Sequence, residues 1–351
     1  MPNAHHAAPQ HGPRPLPLFL DLLRTQTAAF PERQAAALRG LARYQEAPRA
    51  HRPAQLPAIA TAGRARLLDY GGQGPVVVFV PSLINPPFVL DLSEDRSLLR
   101  WLAGQGMRPL LVDWRTPDPV DHAQDIADHV TQLLLPLIAS LNEPPMLVGY
   151  CLGGTMALAA AALAQPRALA LIATPWRFAG FGDAARAEIA ALWAAAEPHC
   201  RTLGLVPMEV LQAGFWQLDP ARAVGKFEGF ATLDPDSDQA RAFVALEDWS
   251  NAGAPLTYAA GAELFALVAD DAPGRGEWRV AGQAIDPAAL ACPVVDFVSL
   301  TDRIVPAASA AGLADTRELT AGHVGMIVGS RGRAQLWEPL AAFLRDAAGP
   351  R

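Results

Sequence analysis

The chain has 351 residues, 51% of them apolar, enough for one large α/β domain carrying an insertion. A net charge of −7 argues against nucleic acid as the main partner. The three cysteines, Cys151, Cys200 and Cys292, are too few and too far apart for a disulfide framework or a zinc site, and they fit a reducing cytosol. Lys226 is the sole lysine among 28 basic residues, and with so much Ala, Pro and Gly this reads as genomic base composition.

Residues 1–17, rich in Pro, His and Ala, are expected to form a disordered tail, with His5 and His6 part of it rather than a metal site. No basic segment followed by an apolar core opens the chain, so no signal peptide is expected. Helical spacing of apolar residues follows over "PLFLDLLRTQTAAFPERQAAALRGLARYQEA", then a Pro-rich link from Pro48 to Pro57. Strands are expected at "ARLLDYGG" (65–72), "PVVVFVPS" (75–82), "RPLLVDW" (108–114), "PMLVGY" (145–150) and "ALALIAT" (168–174). They alternate with helices at 97–106, 123–141 and 151–164, the second kinked or broken at Pro136. The uncharged run Pro144–Pro166 reads as buried strand-turn-helix, not as a membrane span. From 176 to 290 the pattern is mostly helical, without clear buried strands, and is expected to be an inserted cap. "CPVVDFVSL" (292–300), a weak strand at "TRELT" (316–320) and a helix at 333–347 complete the alternation. The expected division is a tail with N-terminal helices over 1–60, a core over 61–175 and 291–351, and the cap over 176–290.

Gly149-Tyr150-Cys151-Leu152-Gly153 carries the chemistry. It has the form of the G-x-S-x-G elbow, with cysteine in place of serine. Such a strand-to-helix turn needs small residues on both sides because the backbone is crowded there. It projects the nucleophile out of the sheet and aims the next N–H, that of Leu152, at a forming oxyanion. The helix N-terminus favours thiolate. A structural cysteine on a packed glycine-rich turn fits the pentapeptide alone equally well. The order nucleophile, acid, histidine narrows the choice. Asp302 lies just past a strand end in "SLTDRIVP" (299–306), and His323 lies on the loop of "TAGHVGMIV" (320–328). His122, His129 and His199 fall in the wrong ordinal places. A turn or N-cap role for Asp302 and a solvated loop role for His323 are the plain alternatives, and Asp296, inside the strand, is a weaker rival acid. The second oxyanion donor is expected from Pro81-Ser82-Leu83-Ile84-Asn85, at the N–H of Leu83; Ser82 lacks an elbow and is not expected to be a nucleophile.

Four segments together resemble the polyhydroxyalkanoate synthases: residues 82–118 ("SLINPPFVLDLSEDRSLLRWLAGQGMRPLLVDWRTPD"), the box at 149–153 with Gly154, "TDRIVP" (301–306) and "GHVGMIVGSRGRAQLWEPLAAFL" (322–344). The resemblance spans about 65–345 and is weakest in the cap. "LSEDRS", "GHVGMIV" and the length are similar to the short synthases that work with a separate subunit. It implies an α/β-hydrolase fold, a mostly parallel central sheet flanked by helices with a mainly helical inserted cap. It implies Cys151 as the acyl-carrying nucleophile, His323 as general base, and Asp302 as the acid that orients His323 or helps activate the incoming hydroxyl. Family members usually carry histidine after this aspartate, where the present chain has Arg303, and here the segment from Asp302 to His323 is short.

The implied activity is polymerisation of (R)-3-hydroxyacyl-coenzyme A thioesters. A cysteine-dependent thioesterase, esterase or polyester depolymerase of the same fold stands as an alternative, as does a non-catalytic granule-associated subunit. No cofactor or metal is expected, since no G-x-G-x-x-G follows a strand and no P-loop is present. Expected partners are the hydroxyacyl-coenzyme A substrate, the polyester product, an accessory synthase subunit and a second copy of the chain, without nucleic acid or a transmembrane segment. The expected location is the cytoplasm, at polyester granules.

Overall fold

The computed structural model describes residues 12–49 and 56–349. His5, His6, most of the expected tail and the middle of the Pro-rich link lie outside the described residues. By internal packing the chain divides into two compact units, Met1–Arg52 with Leu211–Ala252, and Pro53–Val210 with Gly253–Arg351.

The larger unit is built on eight strands: β1 (Ala58–Ala62), β2 (Ala65–Asp69), β3 (Val76–Val80), β4 (Arg108–Asp113), β5 (Met146–Tyr150), β6 (Ala168–Ile172), β7 (Val294–Ser299) and β8 (Thr316–Leu319). Their order across the sheet is β1-β2-β4-β3-β5-β6-β7-β8, the order of the α/β-hydrolase fold. The β1–β2 and β2–β4 pairs are antiparallel, and the rest of the sheet is parallel. Helices on both faces explain the unbroken apolar runs: every residue of β5 and β6 is buried. The uncharged run Pro144–Pro166 resolves into β5, a turn and the helix Leu152–Ala164, whose first ten residues are all buried. Among the described residues no helix is long and apolar enough to cross a membrane.

Three details depart from the sequence pattern. Strand β1, "AIATA", is an extra edge strand with mostly exposed side chains, so it carries little hydrophobic signal. Pro136 does not break its helix. The helix runs over 126–139, and it widens over His129–Leu134, where the Leu135 N–H reaches back to Val130 O. That wider turn absorbs the missing proline donor. The region 176–290 is helical over Asp183–Leu203, Met208–Leu218, Pro220–Phe230, Asp238–Ser250 and Tyr258–Asp270, but it also holds two-residue ladders. One of them, Leu205–Val206 against Leu256–Thr257, is largely buried.

The smaller unit is helical. Phe19 and Leu23, Ala37, Leu41 and Tyr44, Val224, Phe227 and Phe230, and Ala240 and Val244 form its core. The helices Pro31–Glu46 and Pro220–Phe230 cross closely because Gly40 is bare: a Cβ there would lie 1.9 Å from Phe227 O. Buried Glu247 is paired with Lys226 at 2.8 Å, so the sole lysine neutralises an acid that would otherwise be costly inside.

Candidate active site

Cys151, Asp302 and His323 all lie beyond carboxyl ends of sheet strands, where open α/β sheets place their ligands. β5 ends at Tyr150, the chain reverses at Cys151, and a helix begins at Leu152. Cys151 has φ 56° and ψ −132°, a backbone setting a side-chain-bearing residue adopts only when its surroundings enforce it. The enforcement is visible. Cys151 N donates to Ile172 O at 2.9 Å, and Cys151 O accepts from Gly154 N at 2.8 Å. A Cβ on Gly153 would come within 2.1 Å of Val80 O, and one on Gly154 within 1.8 Å of Thr174 Oγ1. The elbow closes only with glycine at both. The Leu152 N–H opens the helix and so has no partner within it.

Asp302 lies three residues past β7, its side chain shut away from solvent. Its Oδ1 accepts from the N–H groups of Ile304 at 2.8 Å and Val305 at 3.0 Å. Its Oδ2 faces His323 Nδ1 at 2.6 Å, which leaves the other ring nitrogen free for the thiol. Ser299 Oγ, at the end of β7, donates to Ala321 O at 2.6 Å and ties the acid's strand to the histidine's loop. Burial by itself disfavours the imidazolium. The Cys151 thiolate and the Asp302 carboxylate outweigh it, and the His323 pKa is pushed up to about 10. Three groups far apart in the chain are thus one electrostatic unit.

Tyr150 was not singled out by the sequence. Its ring lies against the His323 imidazole, with centroids 5.2 Å apart and planes 30° from parallel, and its hydroxyl donates to His323 O at 3.3 Å. The only signal was its place next to the nucleophile.

The other candidates fall elsewhere. Asp296 is fully buried within β7, neither of its oxygens has a hydrogen-bond partner, and burial pushes it up to about 7. It is not in the His323 hydrogen bond. Ser82 Oγ accepts from Ile84 N at 3.1 Å, a turn role. The neighbouring Leu83 N–H has no acceptor among the described residues. His129 is buried in the 126–139 helix, and His199 lies on the helix Asp183–Leu203. The His122 carbonyl accepts from Ala259 N at 3.2 Å. Among the described residues no group of three or more His, Cys, Asp or Glu side chains could hold a metal ion. The arrangement has the parts of acyl transfer: a buried thiol on a strained elbow, an imidazole beside it and a buried acid behind the imidazole.

No family model matches the chain. It is 27% identical over 287 residues to the poly(3-hydroxyalkanoate) polymerase subunit PhaC of Haloarcula marismortui, covering 77% of this chain and 60% of that one. It is 27% identical over 309 residues to the same subunit of Haloferax mediterranei, with 81% and 62% covered. To that of Allochromatium vinosum it is 26% identical over 290 residues, with 77% and 80% covered. The chain thus spans about three-fifths of the length of the first two relatives. Among solved structures it is similar to a carboxylesterase from Nitrososphaera gargenis, at 14% identity and a TM-score of 0.49, covering 83% of this chain and 99% of that one. A non-heme bromoperoxidase-like protein from Mycobacterium tuberculosis gives 19% identity and a TM-score of 0.46, with 85% and 99% covered. The sheet order and elbow are those of the α/β-hydrolase fold, and the sequence relatives, at 26–27% identity, are poly(3-hydroxyalkanoate) polymerase subunits.

Proposed function

We propose that this chain is the catalytic subunit of a polyester synthase that polymerises (R)-3-hydroxyacyl-coenzyme A thioesters through an acyl group carried on Cys151. The observation that carries the reading is the 2.6 Å pair of His323 Nδ1 and Asp302 Oδ2, with the imidazole held against a cysteine on a strained elbow. The relatives are named as polymerase subunits, and that supports the substrate class.

In the first step the Cys151 thiolate attacks the thioester carbonyl, with the oxyanion taken up by the N–H groups of Leu152 and Leu83. The bond to coenzyme A breaks, and the departing thiolate takes the proton of His323. The electrostatics fit this order. The Cys151 thiolate is the strongest influence holding the proton on His323, and acylation removes that charge. The imidazolium then gives up its proton more easily, and the neutral ring is ready as a base. In the second step His323 takes the proton of an incoming 3-hydroxyl, whose oxygen attacks the acyl-cysteine. An ester bond forms and the thiol is released.

Cysteine suits this sequence of steps. Passing an acyl group from one thioester to another is close to isoenergetic, and the acyl-cysteine stays reactive toward an alcohol. Water would end the chain, so the site must be kept dry. Cys151 and His323 are each only 9% exposed, which serves that need. The "LSEDRS" and "GHVGMIV" segments support a synthase that works with an accessory subunit, at polyester granules in the cytoplasm. Arg303, where the family usually has histidine, is the residue that favours a second reading as a hydrolase.

Intact mass after mixing with 3-hydroxybutyryl-coenzyme A separates these readings. A ladder of adducts spaced by one hydroxyacyl unit, absent in Cys151→Ala, is the expected result. Coenzyme A release with free acid and at most one transient adduct would make the protein a hydrolase. No adduct, even with an accessory subunit present, would make it a non-catalytic member of the family.

A further inference from the structure

Trp114 follows β4, next to the loop that leaves the neighbouring strand β3. Its side chain is buried, and its indole Nε1–H donates to Pro81 O at 3.0 Å. Pro81 is the first residue of the loop that supplies Leu83. The same peptide is confined from the other side by the elbow helix: a Cβ on Gly153 would stand 2.5 Å from Pro81 O and 2.5 Å from Pro81 C. Backbone packing sets how near this peptide lies to the elbow, and the indole N–H sets which way its carbonyl points. Rotation about the following bonds then decides where the next amides aim. The Ile84 N–H is taken by Ser82 Oγ, while that of Leu83 has no acceptor among the described residues.

The indole is itself held. The His129 ring meets it edge-on, with centroids 6.0 Å apart and planes 76° apart. His129 is fixed by Asp125 O on Nδ1 and by the Arg64 guanidinium on Nε2, and Arg64 is paired with Asp121 at 3.2 Å. A chain of contacts therefore runs from a buried ion pair through His129 and Trp114 to the peptide that leads into the loop. None of these residues is a member of the Cys151, Asp302 and His323 constellation.

We propose that Trp114 is a positioning residue for acyl transfer: through its hydrogen bond to Pro81 O it aims the Leu83 N–H at the oxyanion formed on Cys151. This rests on the reading of Leu83 as an oxyanion donor, but not on the identity of the acyl group.

The test uses two reactions of the same thiol. Acylation of Cys151 by an activated ester, p-nitrophenyl acetate, develops an oxyanion. Alkylation by iodoacetamide does not, and reads the thiolate alone. In Trp114→Phe the acylation kcat is expected to fall about ten- to a hundredfold with KM within about twofold, and alkylation to stay within about twofold. Should Trp114→Phe fold poorly, β-(3-benzothienyl)alanine at position 114 keeps the indole shape and lacks only the N–H, and the same split is expected. Equal losses in both reactions would make Trp114 a packing residue, and no loss in either would remove it from the site; both overturn the proposal. A protein that splits in this way but builds no hydroxyacyl ladder would leave the Trp114 role standing and sink the synthase reading alone.

Discussion

Two buried imidazoles in this molecule have been driven in opposite directions. His323, on the loop after β8, is 9% exposed, and His129, in the 126–139 helix, is 2% exposed. Burial disfavours the charged form of both. His129 is pushed down to about 4, first by burial, with the Arg64 guanidinium lowering it further. His323 is pushed up to about 10, because against the same burial stand the Cys151 thiolate and the Asp302 carboxylate. Depth alone would predict two neutral histidines. The neighbours decide: at His323 two potential anions outweigh burial, whereas at His129 the Asp125 carbonyl and the Asp121 and Asp128 carboxylates only partly offset burial and the Arg64 guanidinium. One ring carries its proton between two potential anions, and the other stays neutral, edge-on to the Trp114 indole.

The largest expected effect comes from removing the anion that matters most. Cys151→Ala should abolish the acyl adduct, a loss of at least about 10⁴-fold in acyl transfer. It should also lower the His323 pKa, read by NMR titration of the imidazole. If His323 titrates unchanged in Cys151→Ala, thiolate and imidazole are not coupled and the contrast with His129 loses its basis. Next comes Asp302→Asn, which keeps the shape but no longer holds the Nδ1 proton. Acyl transfer is expected to fall by about 10²- to 10⁴-fold with the fold intact by circular dichroism. A loss under fivefold would remove Asp302 from the acid role. The paired state of His323 also has a stability signature. A pKa raised from 6.5 gives stability that is complete below about pH 6.5 and lost as pH rises toward 10.

The sheet was largely legible in the sequence. "VVVFV", "PLLVD", "MLVGY" and "ALALI" are continuous apolar runs because helices cover both faces, and such runs announce themselves. β1 did not, since an alanine-rich edge strand buries too little to leave a pattern. Cys151, Asp302 and His323 could be picked out because each sits at a strand end and their order in the chain is that of the elbow enzymes. The hydrogen bonds could not be read. Trp114 to Pro81 joins positions 33 apart, and Arg64 to His129 joins positions 65 apart. Nothing local marks such pairs. Pro136 marks an irregularity rather than a break, because the preceding turn, His129–Leu134, widens to absorb the missing donor.

Asp296 sharpens the comparison from the carboxylate side. It shares β7 with the segment leading to Asp302, yet among the described residues its oxygens make no well-formed hydrogen bond and only the Ala311 backbone comes near enough to act on them. Burial raises it from 3.8 to about 7, opposed only by the backbone of Ala311, with no charged group contributing. For an acid raised on folding, the folded state binds the extra proton between these values, so stability falls as pH rises from about 4 to 7. At about 1.4 kcal/mol per pH unit the full effect is about 4 kcal/mol. Asp296→Asn cannot ionise and should be more stable than the parent at pH 8 by an amount of that order, with little difference at pH 4, in urea unfolding. A pH-independent difference between the two would mean that Asp296 is not a buried neutral acid.

The smallest effect expected tests the other histidine. His129 has its pKa lowered from 6.5 to about 4, so the unfolded chain takes up a proton that the folded one refuses. Its neutral state supports the fold fully above about pH 6.5, and that support is lost as pH falls toward 4. His129→Gln removes this titration while keeping an acceptor for Arg64. At pH 8 the variant should be less stable by about 1 kcal/mol, the edge-on contact with Trp114 being lost. At pH 4.5 the parent has given up about 3 kcal/mol to the unfolded chain's proton, so the variant should match or exceed it. The crossing is the informative feature, since a lost contact alone lowers stability equally at both pH values. Parallel curves from pH 4.5 to 8 would mean that His129 is charged in the fold beside Arg64, and neighbours would then not be what sets the two imidazoles apart.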